Sequence, residues 1–350
     1  MLPWLAAAGD PGRVHTEGHL ARAAVEHARE QVAALLGARP REVVFTSGAT
    51  ESIAAAVWGA APRGPHHVLT AVEHSAVRDA AALFDTTVVG VDRLGGVDPA
   101  AVAAAVRPGQ TAAVHVQWGN HEVGTVQPAA EVVAACRERG VLVHVDAAAA
   151  AGRVDVDFAA LGADLLSVSA HKLAGPQGVG ALLVRRGLRL RPLLVGGEQE
   201  RGRRAGTENV AGIVGFGAAA EWAAAALGAG EAGRCRALTD AALAGATALE
   251  GVVVYGDPAG RLPHIACLGV AGVEAEAVLL GLDQAGVAVH SGSACSSESL
   301  EPSPVLQAMG VEAERSLRVS VGWSTTPADV DAFVTALASV VARLRALRTG

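Results

Sequence analysis

Hydrophobic and polar positions follow two different periods along the chain. In residues 17–36 apolar side chains recur every three or four positions, which predicts an amphipathic helix that ends at Gly37. Short runs rich in valine, leucine and alanine follow, and such runs are typical of buried strands. The seven predicted strands are residues 42–45, 67–71, 87–91, 112–116, 141–145, 165–168 and 181–184. Helical patterns separate most of them, which predicts an α/β domain with a mainly parallel seven-stranded sheet flanked by helices.

The order of predicted elements changes after a long helix at residues 208–227. A helix at residues 231–249 follows, and then come strands near Val252, Ile265, Val287 and Leu317 and helices at Glu274 and Asp329. This pattern predicts a smaller C-terminal α+β domain. We place the large domain at residues 12–229 and the small domain at residues 230–350 together with residues 1–11.

The composition favours small-molecule chemistry. The 350 residues carry a net charge of −7 and only 3% aromatic side chains, which argues against direct binding of nucleic acid because that binding needs phosphate neutralisation and stacking surfaces. No apolar run reaches the roughly 18 residues of a membrane helix, and the first residues lack a signal-peptide pattern. We therefore expect a cytoplasmic protein with no membrane partner. The four cysteines show no C-x-x-C spacing, so we expect reduced thiols and no metal site.

One residue count points to specific chemistry. The 28 basic residues comprise 27 arginines and a single lysine, Lys172. An amine can lose its proton and attack a carbonyl, whereas a guanidinium stays protonated. Lys172 is therefore a candidate Schiff-base lysine. A compositional drift towards arginine explains the count equally well, so the neighbouring residues must decide.

Polar residues stand at the ends of several predicted strands. Residues 46–50, Thr-Ser-Gly-Ala-Thr, lie between a strand and a helix and suit an anion, although an ordinary N-cap gives the same pattern. His74 follows the next strand, where it is either a ligand or a polar loop residue. Asp146 ends an apolar strand, and a carboxylate buried there needs a cationic partner.

The strand at residues 165–168 leads directly to Ser169, His171 and Lys172. A phosphate at Thr50, Ser169 and His171, an aldehyde at Lys172 and a pyridinium nitrogen at Asp146 together describe pyridoxal 5'-phosphate (PLP). This cofactor acts as an electron sink for carbanions next to an amine. The conjunction of these residues with the unique lysine predicts a PLP enzyme.

The fourth cysteine, Cys295, lies in a loop of serine, glycine and proline between residues 290 and 304. Such a composition is typical of an exposed loop, in which a thiol can reach a neighbouring pocket and react. Cys136, Cys235 and Cys267 lie in apolar helix and strand patterns instead. We expect these three to be inert core thiols, so Cys295 is the candidate nucleophile.

With these residues in place, the chain from about Gly9 to the C-terminus resembles the cysteine desulfurases of the NifS/IscS type, which are class V members of the fold-type I PLP enzymes. The resemblance rests on ordered motifs. They are residues 46–52 (Thr-Ser-Gly-Ala-Thr-Glu-Ser), 73–74 (Glu-His), 119–124 (Gly-Asn-His-Glu-Val-Gly), 144–147 (His-Val-Asp-Ala), 169–172 (Ser-Ala-His-Lys), 175–178 (Gly-Pro-Gln-Gly), 200–207 (Glu-Arg-Gly-Arg-Arg-Ala-Gly-Thr), 291–295 (Ser-Gly-Ser-Ala-Cys) and 300–303 (Leu-Glu-Pro-Ser).

The resemblance implies a role for each matching residue. Lys172 would hold the cofactor, Asp146 would pair with its ring nitrogen, and His74 would stack on the ring and move protons. The phosphate and ring contacts would come from Ala49, Thr50, Ser169, His171 and His121, and from Thr207 of the second protomer of a homodimer. Arg318 would clamp the substrate carboxylate, with Asn120 and His121 beside the substrate. Cys295 would take the sulfur of L-cysteine as a persulfide and pass it to an acceptor protein, such as an iron-sulfur scaffold or a sulfur carrier.

Three departures from the family pattern bear on activity. The family's first strand, with its Asn-Ala-Thr-Thr stretch, has no counterpart here, so we expect a different start or a more open pocket. His121 stands in place of an asparagine, and imidazole is larger and titrates near neutral pH. Ala149 replaces a glutamine and cannot donate a hydrogen bond.

Three functions stay open at this point. The first is an active cysteine desulfurase that makes alanine and an enzyme persulfide. The second is a PLP-dependent lyase acting on cysteine, cystine or selenocysteine, which would release pyruvate. The third is a degenerate, non-catalytic partner in a sulfur-transfer assembly.

Overall fold

The computed structural model describes residues 1–7, 9–291 and 302–349, so the predicted nucleophile Cys295 lies outside the described residues. The chain divides into two compact units. The large unit contains Met1–Val89, Asp98–Trp118 and Pro128–Ala229. The small unit contains Gly90–Val97, Gly119–Gln127 and Gly230–Gly350.

The large unit is built on one seven-stranded sheet. Its strands are β1 (Val43–Thr46), β2 (His66–Thr70), β3 (Asp85–Val89), β4 (Thr111–Gln117), β5 (Leu142–Asp146), β6 (Leu165–Ser169) and β7 (Gly180–Val184). They are ordered β1-β7-β6-β5-β4-β2-β3, and only β7 runs against its two neighbours. The prediction of a mainly parallel seven-stranded sheet is confirmed.

Nine helices accompany the sheet in the described part of the large unit. They are α1 (Leu2–Leu5), α2 (Thr16–Leu35), α3 (Ala49–Ala60), α4 (Ser75–Ala81), α5 (Pro99–Ala105), α6 (Ala129–Arg137), α7 (Phe158–Leu161), α8 (Gln199–Gly202) and α9 (Val210–Gly228). Helix α9 has the length and apolar composition of a membrane-spanning helix, and core helices of globular proteins share both properties. It packs along α2 so closely that a Cβ on Gly217 would lie 2.7 Å from Ala28 Cα.

The small unit has its own antiparallel sheet and core. The strands are β8 (Val252–Tyr255), β9 (Ile265–Val270), β10 (His290–Ser291) and β11 (Ser316–Ser320), ordered β10-β11-β9-β8. The helices are α10 (Glu231–Thr247), α11 (Ala275–Gln284), α12 (Pro304–Ala308) and α13 (Pro327–Thr349). Leu268, Leu282, Leu317 and Leu337 are fully buried in this core, which the predicted α+β domain requires.

The structure differs from the predicted domain ranges at two places. Residues 1–7 and 9–11 belong to the large unit, because α1 packs against α9. Gly90–Val97 and Gly119–Gln127 belong to the small unit, where they join each other through the hydrogen bond from Gln127 Nε2 to Gly95 O. The order of elements along the chain does not predict that these two segments join the small unit, since each is shorter than ten residues.

Candidate active site

The predicted cofactor residues of the large unit follow strands that end at the same edge of the sheet. Strands β1, β2, β4, β5 and β6 share one direction, so their carboxyl ends lie together. Asp146 is the last residue of β5, Ser169 is the last residue of β6, and His74 follows β2 by four residues. Open α/β sheets bind ligands at this edge.

Lys172 lies on a single turn of 3-10 helix, Ala170–Leu173, directly after β6. Ala170 and Leu173 are buried at the two ends of this turn, while His171 and Lys172 between them are exposed. Arg153 Nη2 donates to the Lys172 carbonyl oxygen at 3.3 Å. The fold thus fixes the backbone of the only lysine and presents its side chain outwards.

The predicted anion cradle is formed where β1 passes into α3. Gly48 is the N-cap of α3, and a Cβ built on Gly48 would lie 3.7 Å from Ser169 Oγ at the end of β6. Ser169 Oγ in turn lies 2.8 Å from His171 Nδ1. Burial, together with the positive charge of Lys172, lowers the pKa of His171. The amino end of α3, which carries Ala49 and the exposed Thr50, therefore forms one group suited to a phosphate with Ser169 at the end of β6 and His171 on the turn that follows.

Asp146 is a buried carboxylate, 8% exposed, that is held by neutral donors. Ser167 Oγ donates to its Oδ1 at 3.0 Å, and the backbone N–H of Ala148 donates to the same atom at 3.1 Å. In the described part of the chain, no Lys or Arg side chain forms a salt bridge with it. A buried anion without a cation is costly, so this site fits a ligand that brings a positive charge, as the protonated ring nitrogen of PLP does.

His74 is the N-cap of α4, and its ring is oriented by that role. The backbone N–H of Ala76 donates to His74 Nδ1 at 3.0 Å. The neutral ring therefore carries its proton on Nε2. The carboxylate of Glu73 next to it is fully buried and accepts from Thr70 Oγ1 at 2.6 Å and from Gln117 N at 2.9 Å, which fixes this strand end to β4.

Thr207 lies exposed on the loop between α8 and α9 and lines a cavity of about 130 Å³ together with Ser47 and Gly178. The pair Arg204–Glu51 ties this loop to α3, with Nε to Oε1 at 2.8 Å. Burial alone would raise the pKa of Glu51, but the hydrogen bonds from Arg204 and Ser47 outweigh it and the pKa is lowered. Thr207 is thus held near the cradle of its own chain and stays accessible.

The predicted substrate residues Asn120, His121 and Arg318 belong to the small unit. Asn120 is fully buried, and its Oδ1 accepts from the N–H groups of Glu122 and Val123 at 2.8 Å each. Arg318 on β11 donates from Nη1 to the His121 carbonyl oxygen at 3.1 Å. Asn120 therefore shapes the loop that carries His121, and Arg318 joins that loop to the small sheet.

The three described cysteines are buried, as expected of core thiols. Burial raises the pKa of Cys136 to about 11 and that of Cys267 to about 12, so both are thiols at neutral pH. Cys235 Sγ donates to Glu231 Oε1 at 3.4 Å. The predicted nucleophile Cys295 lies outside the described residues.

Two groups of supporting residues were not predicted from the sequence. The first is the pair Arg204–Glu51, although both residues stand inside the motifs quoted above. The second is Ser167 and His144, which lie beside Asp146 and are hydrogen-bonded to each other at 3.1 Å. The signal for the second group is polar residues at alternate positions of otherwise apolar strands, because alternate residues share one face.

Comparisons with known proteins identify the family of this chain. The class-V aminotransferase family model matches residues 5–333. Cysteine desulfurase IscS 1 of Archaeoglobus fulgidus is 40% identical over 360 residues, covering 99% of this chain and 94% of the relative. A cysteine desulfurase of Nostoc sp. is 42% identical over 350 residues, covering 97% and 87%. A solved NifS-like protein superposes with a TM-score of 0.90 at 32% identity, covering 97% of this chain and 93% of its own.

Proposed function

This chain belongs to the class-V aminotransferase family and is a PLP-dependent cysteine desulfurase, and we propose which of its residues carry the reaction. Lys172 is the amine that binds the cofactor aldehyde. The amino end of α3 with Ala49 and Thr50, together with Ser169 and His171, holds the phosphate. Bound PLP supplies an electron sink for bonds broken next to the substrate amine.

The observation that carries this assignment is the burial of Asp146 and the kind of hydrogen-bond donors that it receives. Its carboxylate is buried and receives only neutral donors from the described chain, at the same sheet edge as the sole lysine. A carboxylate in that state pairs with the cofactor's ring nitrogen and keeps it protonated.

His74 holds or moves a proton at Nε2 in this proposal. The N–H of Ala76 occupies Nδ1, so the neutral ring has its proton at the other nitrogen. Stacking of this ring on the cofactor is part of the same proposal. Its fixed position at the N-cap of α4 supports the assignment, because a proton-transfer group needs a defined orientation.

On the small unit, Arg318 binds the carboxylate of L-cysteine, for which a planar guanidinium is well suited. Asn120 and His121 act beside it, Asn120 by fixing the loop and His121 by contacting the substrate and the cofactor ring. The bond from Arg318 to the His121 carbonyl oxygen supports this grouping. Replacing Arg318 by lysine is expected to raise KM for L-cysteine more than it lowers kcat.

Cys295 completes the reaction as the sulfur acceptor. Its thiolate attacks the sulfur of bound L-cysteine, so an S–S bond forms while the C–S bond of the substrate breaks. The electron pair of the C–S bond stays on the substrate carbon, which takes a proton, and the products are L-alanine and a Cys295 persulfide. The raised pKa values of Cys136 and Cys267 leave these two thiols unsuited to the same role.

Product analysis tests the function. The holoenzyme is incubated with L-cysteine and a thiol reductant, beside the variants Cys295→Ser and Cys267→Ser. We expect alanine from the wild type and from Cys267→Ser, and none from Cys295→Ser. Pyruvate from all three would instead establish a lyase, and absence of any product from a protein with bound cofactor would establish a non-catalytic partner.

We further propose a homodimer in which Thr207 reaches the cofactor phosphate of the other protomer. Its exposure supports this arrangement. The expected result is a dimer in sedimentation and a weaker affinity for PLP in Thr207→Ala.

The acceptor of the sulfur is proposed to be a protein thiol on an iron-sulfur scaffold or a sulfur carrier, in the cytoplasm.

A further inference from the structure

A buried line of polar side chains runs across the large sheet from Asp146. Ser167 Oγ donates to Asp146 Oδ1 at 3.0 Å and lies 3.1 Å from His144 Nε2. His144 Nδ1 lies 3.1 Å from His115 Nδ1, and His115 Nε2 lies 3.0 Å from His67 Nδ1. These residues come from strands β6, β5, β4 and β2, and all three histidines are fully buried.

The charge of Asp146 fixes the direction of every hydrogen bond in this line. An ionised carboxylate only accepts, so Ser167 must donate to it. The Ser167 oxygen then accepts from His144 Nε2–H, which leaves His144 Nδ1 as an acceptor. His115 donates to that nitrogen from Nδ1 and accepts at Nε2 from His67 Nδ1–H.

The three imidazoles are therefore neutral, each with one proton in a defined place. Burial lowers the pKa of His144 and of His67 to about 4, and lowers that of His115 well below its ordinary value. The rings are linked nitrogen to nitrogen in sequence, unlike the convergent nitrogens of a metal site. The line ends at His67 Nε2, which is buried without a partner among the described residues, beside the ring of Phe84.

We propose that His67, His115 and His144 are positioning residues that hold Ser167 as a permanent hydrogen-bond donor to Asp146 and thereby strengthen the binding of the PLP ring. The proposal rests on the assignment of Asp146 to the ring nitrogen. A hydroxyl without the histidine line could rotate and donate elsewhere. The line removes that freedom, because reversing Ser167 would leave His144 Nε2–H facing a hydrogen.

The first test measures the affinity of the apoprotein for PLP by absorbance or fluorescence titration. The variant His115→Leu breaks the line, and His66→Leu is its matched control. His66 is an equally buried histidine on β2 whose ring bonds instead to Thr111 and Thr87, at 2.8 and 2.9 Å. We expect the Kd for PLP to rise about tenfold in His115→Leu, the effect of losing one hydrogen bond to a charged group, and less than twofold in His66→Leu. Equal effects in both variants would overturn the proposal.

Two further measurements guard against a variant that folds poorly. Ser167→Ala removes only the terminal donor and is expected to raise the Kd by a similar factor. Nitrogen-15 NMR of the unmodified apoprotein at pH 7.5 reads the protonated nitrogen of each ring. Protons on His144 Nε2, His115 Nδ1 and His67 Nδ1 support the proposal, and a His144 proton on Nδ1 refutes it. Neither the affinity for PLP nor the NMR spectrum depends on desulfuration. Both measurements therefore test this proposal even if the proposed reaction is not observed.

Discussion

Two buried carboxylates of the large unit, Asp146 and Glu200, have opposite surroundings. They are 8% and 7% exposed. Glu200 receives both terminal nitrogens of Arg29, at 2.7 and 2.8 Å, and the N–H of Phe45 at 3.1 Å. Asp146 receives a hydroxyl and a backbone N–H on one oxygen atom. Glu200 is thus paired with a cation within the fold, whereas Asp146 forms no salt bridge with a Lys or Arg side chain among the described residues.

The difference shows that burial alone does not identify a functional carboxylate. Burial alone would lower the pKa of Arg29, yet its hydrogen bonds to Glu200 outweigh burial and the pKa is raised. That pair holds the turn of α8 against β1, and the charge of Glu200 is balanced by Arg29. The informative observation at Asp146 is that no Lys or Arg side chain among the described residues pairs with it, and the proposed function rests on that difference.

Breaking the pair Arg29–Glu200 should have the largest effect on the free energy of unfolding. Glu200→Gln leaves the charge of Arg29 buried without its counterion, so we expect the free energy of unfolding of the apoprotein to fall by about 3–5 kcal/mol. Urea denaturation at pH 7.5 measures it. The double variant Arg29→Met with Glu200→Leu should recover most of the loss, and a loss below about 1 kcal/mol in the single variant would mean that the pair is not the main stabiliser of this region.

Removing the charge of Asp146 should lower the rate of catalysis instead. Asp146→Asn is expected to lower kcat for alanine formation about 10²–10³-fold, because a preorganised charge beside the reacting system is lost. The free energy of unfolding of the apoprotein should stay within about 1 kcal/mol of the wild type, since an unpaired buried charge has been removed. A variant that retains most of its activity would contradict the pairing of Asp146 with the cofactor.

Acid should destabilise the histidine line that supports Asp146. His67 and His144 have pKa values of about 4 in the fold against 6.5 ordinarily, so between pH 6.5 and about 4 the unfolded chain binds more protons. Their contribution is complete above pH 6.5 and is lost as the pH falls towards 4. The slope of unfolding free energy against pH should drop by up to about 1.4 kcal/mol per pH unit in His67→Phe. The control His27→Gln, at an exposed position of α2, should keep the wild-type slope.

The smallest effect is expected from a solvent-exposed ion pair. Arg185 contacts Asp164 at 2.7 Å, but its side chain is 52% exposed. Arg185→Ala should change the free energy of unfolding by less than about 1 kcal/mol and leave the affinity for PLP unchanged, because water screens such pairs. A larger loss would show that exposure does not decide how much an ion pair stabilises this fold.

Local patterns in the chain were enough to predict several features of this protein. The period of apolar residues predicted the seven strands and their order with the helices, because it records which faces are buried. The sole lysine after β6 and the aspartate at the end of β5 predicted a PLP site, because strand ends of a parallel sheet meet at one edge. The strand near Val287 was less well placed, since the described β10 is only His290–Ser291.

The tertiary structure alone decided how Asp146 is supported. His67, His115 and His144 are separated by 48 and 29 residues, and their contacts depend on the register of three neighbouring strands. Arg204 and Glu51 are 153 residues apart, and Arg29 and Glu200 are 171 residues apart. Periodicity reports only whether a position is buried, whereas a hydrogen bond requires two particular atoms within about 3 Å, and that distance is set only when the strands pair.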